Sequence, residues 1–95
     1  MAKAELIYRD KAIFADGSIL EMTIWRLPST SSERKHGLKY SLYFGREGKR
    51  VVGYDNERGK GDHRHYGNRE EAYRFVDVET LVADFMADVL KEQGR

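Results

Sequence analysis

Apolar side chains recur at every second position in two segments of this chain. The residues of the repeat are Leu20, Met22, Ile24, Leu38, Tyr40, Leu42 and Phe44. A period of two places successive side chains on opposite faces of a strand, so one face collects the apolar residues. The repeat therefore predicts two half-buried strands, within residues 18–27 and 38–44.

Turn signals join these strands to neighbours. Asp16 and Gly17 separate residues 18–27 from a β-favouring segment at 5–15, as is typical of a type I′ hairpin. Glycines at 45 and 48 bound a turn that leads into a fourth strand at 49–55, in which Gly53 indicates a bulge or a close backbone approach. Residues 56–72 are predicted to form a loop, and 73–75 offer a short fifth strand.

The C-terminal segment changes to a helical period. Its apolar residues recur at spacings of three and four, and they are Val78, Leu81, Val82, Phe85, Met86, Val89 and Leu90. Asp77 is a good N-cap for a helix over 77–93. We expect Leu81, Phe85 and Val89 to pack on the apolar strand face, with the acidic residues 84 and 88 in solvent. The fold prediction is α+β: one domain, residues 1–95, with an antiparallel meander sheet of four to five strands and one C-terminal helix packed on one face.

Composition excludes several classes of protein. The 95 residues include no cysteine, which rules out a disulfide scaffold, a cysteine-based zinc site and thiol chemistry. No apolar run approaches the roughly 18–20 residues needed to span a bilayer, and the first residues lack the apolar core of a signal peptide. The sequence therefore predicts no membrane segment.

Charge is unevenly distributed along the chain. The formal net charge is only +1, yet Lys and Arg outnumber acids in residues 46–69, whereas acids outnumber them in 70–95. This asymmetry predicts that the basic middle and the acidic tail form two surfaces that face different partners.

The segment from Gly53 to Gly67 is the candidate functional loop. Its imidazoles, His63 and His65, titrate near neutral pH and are predicted to be catalytic, as general base and general acid in phosphodiester cleavage. Cations and aromatic rings nearby are predicted to contact nucleic acid, through phosphate charge or base stacking. The predicted nucleic-acid-binding residues are Arg58, Lys60, Arg64, Tyr54 and Tyr66.

Two other interpretations of the histidines stay open. In an extended segment, His63 and His65 fall on one side and can pin the loop through a hydrogen bond to a backbone carbonyl. His-x-His near a carboxylate can also bind a metal, but two imidazoles without cysteine are a sparse ligand set. No metal and no cofactor are predicted. Catalysis requires both rings to be partly accessible, in a depression shared with the basic residues.

The run from Val51 to His65 resembles the small TumE-type toxins of prokaryotic toxin–antitoxin operons. Its core is Gly-Lys-Gly-Asp-His-Arg-His at 59–65, followed by Tyr73-x-Phe75 and Leu81-x-x-Asp84-Phe85. The opening Glu-Leu-Ile, the Asp-Gly turn and Ile-Trp-Arg-Leu-Pro at 24–28 extend the likeness over most of the chain. The resemblance implies a cytoplasmic toxin neutralised by a helix-turn-helix antitoxin, and it carries over no catalytic residue.

The functional prediction combines the loop chemistry with this resemblance. It is a toxin that acts on RNA through the basic Gly/His loop, as a metal-independent ribonuclease. The alternative is a non-catalytic module that binds nucleic acid or protein. The sequence is also compatible with a homodimer.

Overall fold

The computed structural model describes residues 3–32, 34–56 and 61–94. The strands form one antiparallel sheet in the order in which they occur along the chain. The elements are β1 (Glu5–Ile13), β2 (Ile19–Arg26), β3 (Leu38–Arg46), β4 (Lys49–Asp55), β5 (His63–Tyr66), β6 (Arg69–Ala72) and α1 (Val78–Glu92). The α+β class and the meander with one C-terminal helix are confirmed.

The predicted apolar repeat covers one face of the sheet. In the β2–β3 register, Leu20 lies opposite Phe44 and Met22 lies opposite Leu42, so the two repeats meet on the same face. The helix lies over this face, and the side chains of Leu81, Phe85 and Val89 are fully buried against it. The Asp77 carboxylate caps α1 by accepting a hydrogen bond from the Thr80 amide at 2.7 Å.

The sheet has six strands, because the segment predicted to be a loop contains the β5–β6 hairpin. Gly67, with φ of +61°, turns the chain between these strands. The hairpin carries mostly polar and charged residues, so it lacks the apolar alternation that indicated the earlier strands. Residues 73–75 form no strand. There the chain leaves the sheet for the helix, and the Phe75 ring packs on His36 with centroids 4.1 Å apart.

The acidic residues of α1 are not confined to solvent, which corrects the prediction made for positions 84 and 88. Asp84 accepts a hydrogen bond from the Tyr73 hydroxyl at 2.7 Å, and Asp88 accepts one from the Tyr66 hydroxyl at 2.7 Å. Each aspartate immediately precedes a buried residue of the apolar stripe. It therefore lies at the border of the buried face, where it reaches the tyrosines of the sheet.

Within the described part of the chain, no helix has the length and apolar character that a bilayer crossing requires.

Candidate functional site

The sheet face opposite α1 carries a group of acids and histidines from three adjacent strands. Asp55 lies opposite His63 in the β4–β5 register, and His65 lies opposite Glu70 in the β5–β6 register. Directly opposed residues point to the same side, and Tyr54, which precedes Asp55, points to α1. We call Asp55, His63, His65, Glu70 and the nearby Arg50 the carboxylate–histidine cluster.

The Asp55 carboxylate lies between the two imidazoles. Its Oδ1 is 2.7 Å from His63 Nε2, and its Oδ2 is 3.4 Å from His65 Nε2. The two rings are nearly perpendicular, with centroids 4.8 Å apart. Glu70 Oε2 lies 3.7 Å from His63 Nε2 and 3.5 Å from His65 Nδ1. Two acids and two imidazoles thus converge on one point of the sheet.

The remaining ring nitrogens have partners that define the rings' roles. His63 Nδ1 lies 3.0 Å from the Gly61 carbonyl oxygen, which only accepts, so Nδ1 carries a proton. His65 Nδ1 lies 3.1 Å from Arg50 Nη2, which only donates, so Nδ1 accepts. Burial, and after it the Arg50 charge, lower the pKa of His65 below its ordinary value, which favours the neutral ring.

Gly53 leaves the space through which Arg50 reaches His65. A Cβ atom built on Gly53 would lie 2.6 Å from Arg50 Cδ. The Arg50 side chain therefore lies across β4 at the position where any other residue would project, and its Nη1 also lies 4.0 Å from Asp55 Oδ2. Gly53 was interpreted from the sequence as a bulge or a close backbone approach, whereas here a side chain makes the close approach.

An open depression adjoins the cluster. Its lining residues are Tyr43, Gly48, Lys49, Arg50, Gly67 and Asn68. Arg50 is common to both features, because it lines the depression and contacts His65. A ligand in this depression would therefore lie beside two cations and next to the cluster.

The histidines are less accessible than the predicted chemistry requires. Their exposed fractions are 7% for His63 and 8% for His65, and not the partial exposure we expected. Two atoms of the cluster, Asp55 Oδ1 and His65 Nε2, are buried without a hydrogen-bond partner. The 2.7 Å contact of Asp55 Oδ1 with His63 Nε2 is close but lacks the alignment of a hydrogen bond.

The residues predicted to bind nucleic acid do not assemble around the histidines. Arg58 and Lys60 lie outside the described residues. Arg64 points to the α1 side of the sheet, where its Nε lies 2.7 Å from Glu71 Oε1. The prediction that Arg64 shares a depression with the two imidazoles is therefore wrong, because alternation along β5 places Arg64 on the opposite face.

The two predicted stacking tyrosines also lie on the α1 side. Tyr54 is 1% exposed and its hydroxyl donates to Asp88, so its ring offers no face to a base and the stacking prediction is wrong for this residue. Tyr66 is half-buried, and the Arg64 and Arg69 guanidinium carbons lie 5.6 Å and 5.1 Å from its ring centroid. A nucleic-acid contact of Tyr66 and Arg64 would form on the face opposite the histidines.

Sequence reasoning missed Arg50, Asp55 and Glu70 as members of the site. The signal that identifies Asp55 is its pairing with His63, which requires the β4–β5 register. Identifying Glu70 requires knowing that β6 exists, whereas its residues were predicted to form a loop.

These features define a class of small α+β protein: a six-stranded meander, with a helix across one face and a polar site on the other. A family model described as Toxin TumE matches residues 1–93 of the chain. The chain belongs to the TumE toxin family. No curated protein and no solved structure matches it. Membership in this family gives the chain a toxin role and implies an antitoxin as its partner.

Proposed function

We propose that this toxin acts on RNA in the cytoplasm, and that the carboxylate–histidine cluster is where the RNA backbone is cleaved. Phosphodiester cleavage requires an activated oxygen nucleophile and cations that stabilise the charge that develops on the phosphate. The cluster supplies imidazoles and carboxylates for the first requirement. Lys49 and Arg50, in the adjoining depression, supply the charge for the second.

The position of Arg50 is the observation that carries this proposal. Its guanidinium donates to His65 Nδ1 at 3.1 Å and also lines the depression. A phosphate bound there by Arg50 would lie next to the imidazoles. Proximity of a bound phosphate to potential proton donors and acceptors is what general acid–base cleavage needs.

Two chemistries at this cluster would activate the nucleophile. His63 and His65 would exchange protons with the substrate without a metal, as the sequence predicts. This requires an approach of about 2.6–3.2 Å to the reacting group, and hence an opening of the cluster around rings that are 7% and 8% exposed. A metal ion held by the cluster is the second chemistry, which the buried unpartnered Asp55 Oδ1 and His65 Nε2 favour.

Growth arrest on controlled expression in a bacterial host tests the site. We expect the His63→Ala, His65→Ala double variant and Arg50→Ala to lose arrest while they retain the circular dichroism of the wild type. Arg9→Ala removes an exposed guanidinium from β1 and should keep full arrest. Arrest by a folded double variant at the wild-type level would contradict the proposed site.

Cleavage of labelled RNA by purified protein tests the reaction. We expect cleavage by the wild type and none by the double variant. A chelator arm separates the two chemistries, because only metal-dependent cleavage stops when chelator is added. Binding of RNA without cleavage would favour the alternative of a non-catalytic binding module.

We further propose a helix-turn-helix antitoxin as the partner, which rests on the family alone. Co-expression of the neighbouring gene should restore growth, and co-purification should recover the complex. Light scattering of the purified toxin tests the homodimer. Growth that is not restored by any adjacent gene would contradict this partner.

A further inference from the structure

We propose that Asp55, His63 and His65 bind one divalent transition-metal ion, through a carboxylate oxygen and the two imidazole Nε2 atoms. One ligand atom from each residue lies within 4.8 Å of the others. Two nitrogens and one carboxylate oxygen are a ligand set that suits zinc, iron or manganese.

One ligand separation in the cluster already matches that of a bound site, and the whole set lies within 4.8 Å. Ligands held at about 2.0–2.2 Å around one tetrahedral ion are separated from each other by roughly 3.3–3.5 Å. His65 Nε2 and Asp55 Oδ2 have this separation, 3.4 Å. His63 Nε2 and Asp55 Oδ1 are closer, at 2.7 Å, and would separate by a small rotation of the imidazole or the carboxylate.

Two buried atoms in the cluster support a ligand rather than a simple ion pair. Asp55 Oδ1 and His65 Nε2 are inaccessible and have no hydrogen-bond partner. A buried polar atom without a partner pays its full desolvation cost, so such atoms are rarely left unpaired in a native protein. Both atoms belong to residues of the proposed ligand set, and coordination through them would satisfy both.

The surroundings of the imidazoles resemble the outer contacts of ligating histidines. Such histidines usually donate their other ring N–H to a backbone carbonyl or a carboxylate, which fixes the tautomer. The Gly61 carbonyl does this for His63, so Nε2 is the nitrogen left to face a metal, which would displace the proton that lies between Nε2 and Asp55 Oδ1 at 2.7 Å. For His65, Glu70 Oε2 lies 3.5 Å from Nδ1 and becomes its acceptor once the metal occupies Nε2.

Metal binding would require the hydrogen bond between Arg50 and His65 to break. Arg50 now donates to His65 Nδ1, the atom that would carry a proton in the metal-bound ring. Binding therefore releases the Arg50 guanidinium from His65, and Arg50 lines the depression next to the cluster. An ion with three protein ligands keeps positions open for water or substrate, as catalytic sites do.

The experiment is calorimetric titration of chelator-treated protein with Zn²⁺ alone, in the absence of RNA. We expect saturable binding of one ion per chain. His65→Gln and Asp55→Asn should each weaken it by at least ~10-fold, the lower end of the loss seen even for residues outside the ligand set. His36→Gln is the matched control and should bind as the wild type does. His36 Nε2 lies 2.9 Å from Asp62 Oδ2, an equivalent imidazole–carboxylate pair without a second imidazole.

Nitrogen NMR of the wild-type imidazoles keeps the test decisive if a variant does not fold. Zn²⁺ should shift the ring resonances of His63 and His65 and leave those of His36 unchanged. Absence of stoichiometric binding, equal binding by folded His65→Gln, or shifts confined to His36 would overturn the metal site. This inference does not depend on RNA cleavage: chelator-insensitive cleavage without Zn²⁺ binding would leave the proposed function standing, and Zn²⁺ binding without cleavage would leave the metal site standing.

Discussion

At the residue scale, Gly53 is important to the site because its missing side chain leaves the space that Arg50 occupies. We predict that Gly53→Ala displaces Arg50 from His65, because the new Cβ would lie 2.6 Å from Arg50 Cδ. The displaced side chain is flexible and the backbone at Gly53 is not in the positive-φ region, so the fold should be retained. RNA cleavage should fall toward the level of Arg50→Ala.

A double-mutant cycle is the measurement that isolates this coupling. Gly53→Ala should have little further effect in the Arg50→Ala background, since the side chain that it displaces is then gone. An equally large effect of Gly53→Ala in both backgrounds would mean that Arg50 is not the link between Gly53 and the cluster.

The sequence allowed part of this site to be predicted. Alternation in an extended segment places His63 and His65 on one side, and the structure confirms that arrangement, although residues 56–72 were predicted to form a loop. Arg50 and Asp55 could not be found in this way, because they join the histidines only through the β4–β5 register and the absent side chain of Gly53. Register depends on pairing between segments, which local patterns do not contain.

At the element scale, hydroxyl–carboxylate hydrogen bonds join α1 to the sheet. Tyr54 and Tyr66 both donate to Asp88 Oδ2. We predict that Tyr54→Phe lowers the free energy of unfolding by about 1–3 kcal/mol, because a buried hydrogen bond to a charged group is lost. Urea denaturation measures this loss. The control is Tyr43→Phe, since Tyr43 lies on the opposite face and no hydrogen bond of its hydroxyl occurs among the described residues. A loss of the same size in Tyr43→Phe would contradict the assignment.

We expect the apolar packing of α1 to contribute more to the free energy of unfolding than the hydrogen bond of Tyr54 does. Phe85 is 0% exposed and meets the Tyr54 ring edge-on, with centroids 5.6 Å apart. Phe85→Ala should lower the free energy of unfolding by about 3–5 kcal/mol, through lost transfer energy and the cavity that remains. Leu90→Ala on the exposed side of α1 is the comparison, and urea midpoints that fall equally for both would argue against this packing.

Some elements could be predicted from their sequence patterns and others could not. Strands β2 and β3 and the helix α1 have one apolar face each, and their period indicated both type and orientation. The β5–β6 hairpin also alternates, but its side chains are mostly charged and polar. In β5, Arg64 and Tyr66 lie on one face, and His63 and His65 lie on the other. The pairing of the hairpin rests on backbone hydrogen bonds and polar contacts, which a search for apolar periods does not detect.

At the scale of the whole molecule, the two faces of the sheet have separate tasks. Apolar burial against α1 stabilises one face, whereas the other carries the polar residues of the cluster, with its two buried histidines, and of the open depression. The period-two and helical stripes were sufficient to predict this architecture, because one helix of 15 residues can cover one face of the sheet. Substitutions in the cluster should therefore change function with less effect on folding than substitutions on the α1 side.

The tyrosines of the buried face make the whole fold sensitive to alkali. Burial first, and then a carboxylate acceptor, raise the pKa of Tyr73 and of Tyr40, whose acceptors are Asp84 and Asp62. A phenol whose pKa is higher in the folded state contributes stability that is complete below its unfolded pKa of about 10 and is lost as the pH rises beyond it. We expect urea midpoints to stay level from about pH 8 to 9.5 and then to fall, with the tyrosinates of Tyr73 and Tyr40 appearing only as the chain unfolds. Tyr73→Phe should make the fall above about pH 10 less steep, since one of the linked protons is removed. Midpoints that remain level to about pH 11, or tyrosinate of Tyr73 that forms in the folded protein near its ordinary pKa, would contradict this linkage.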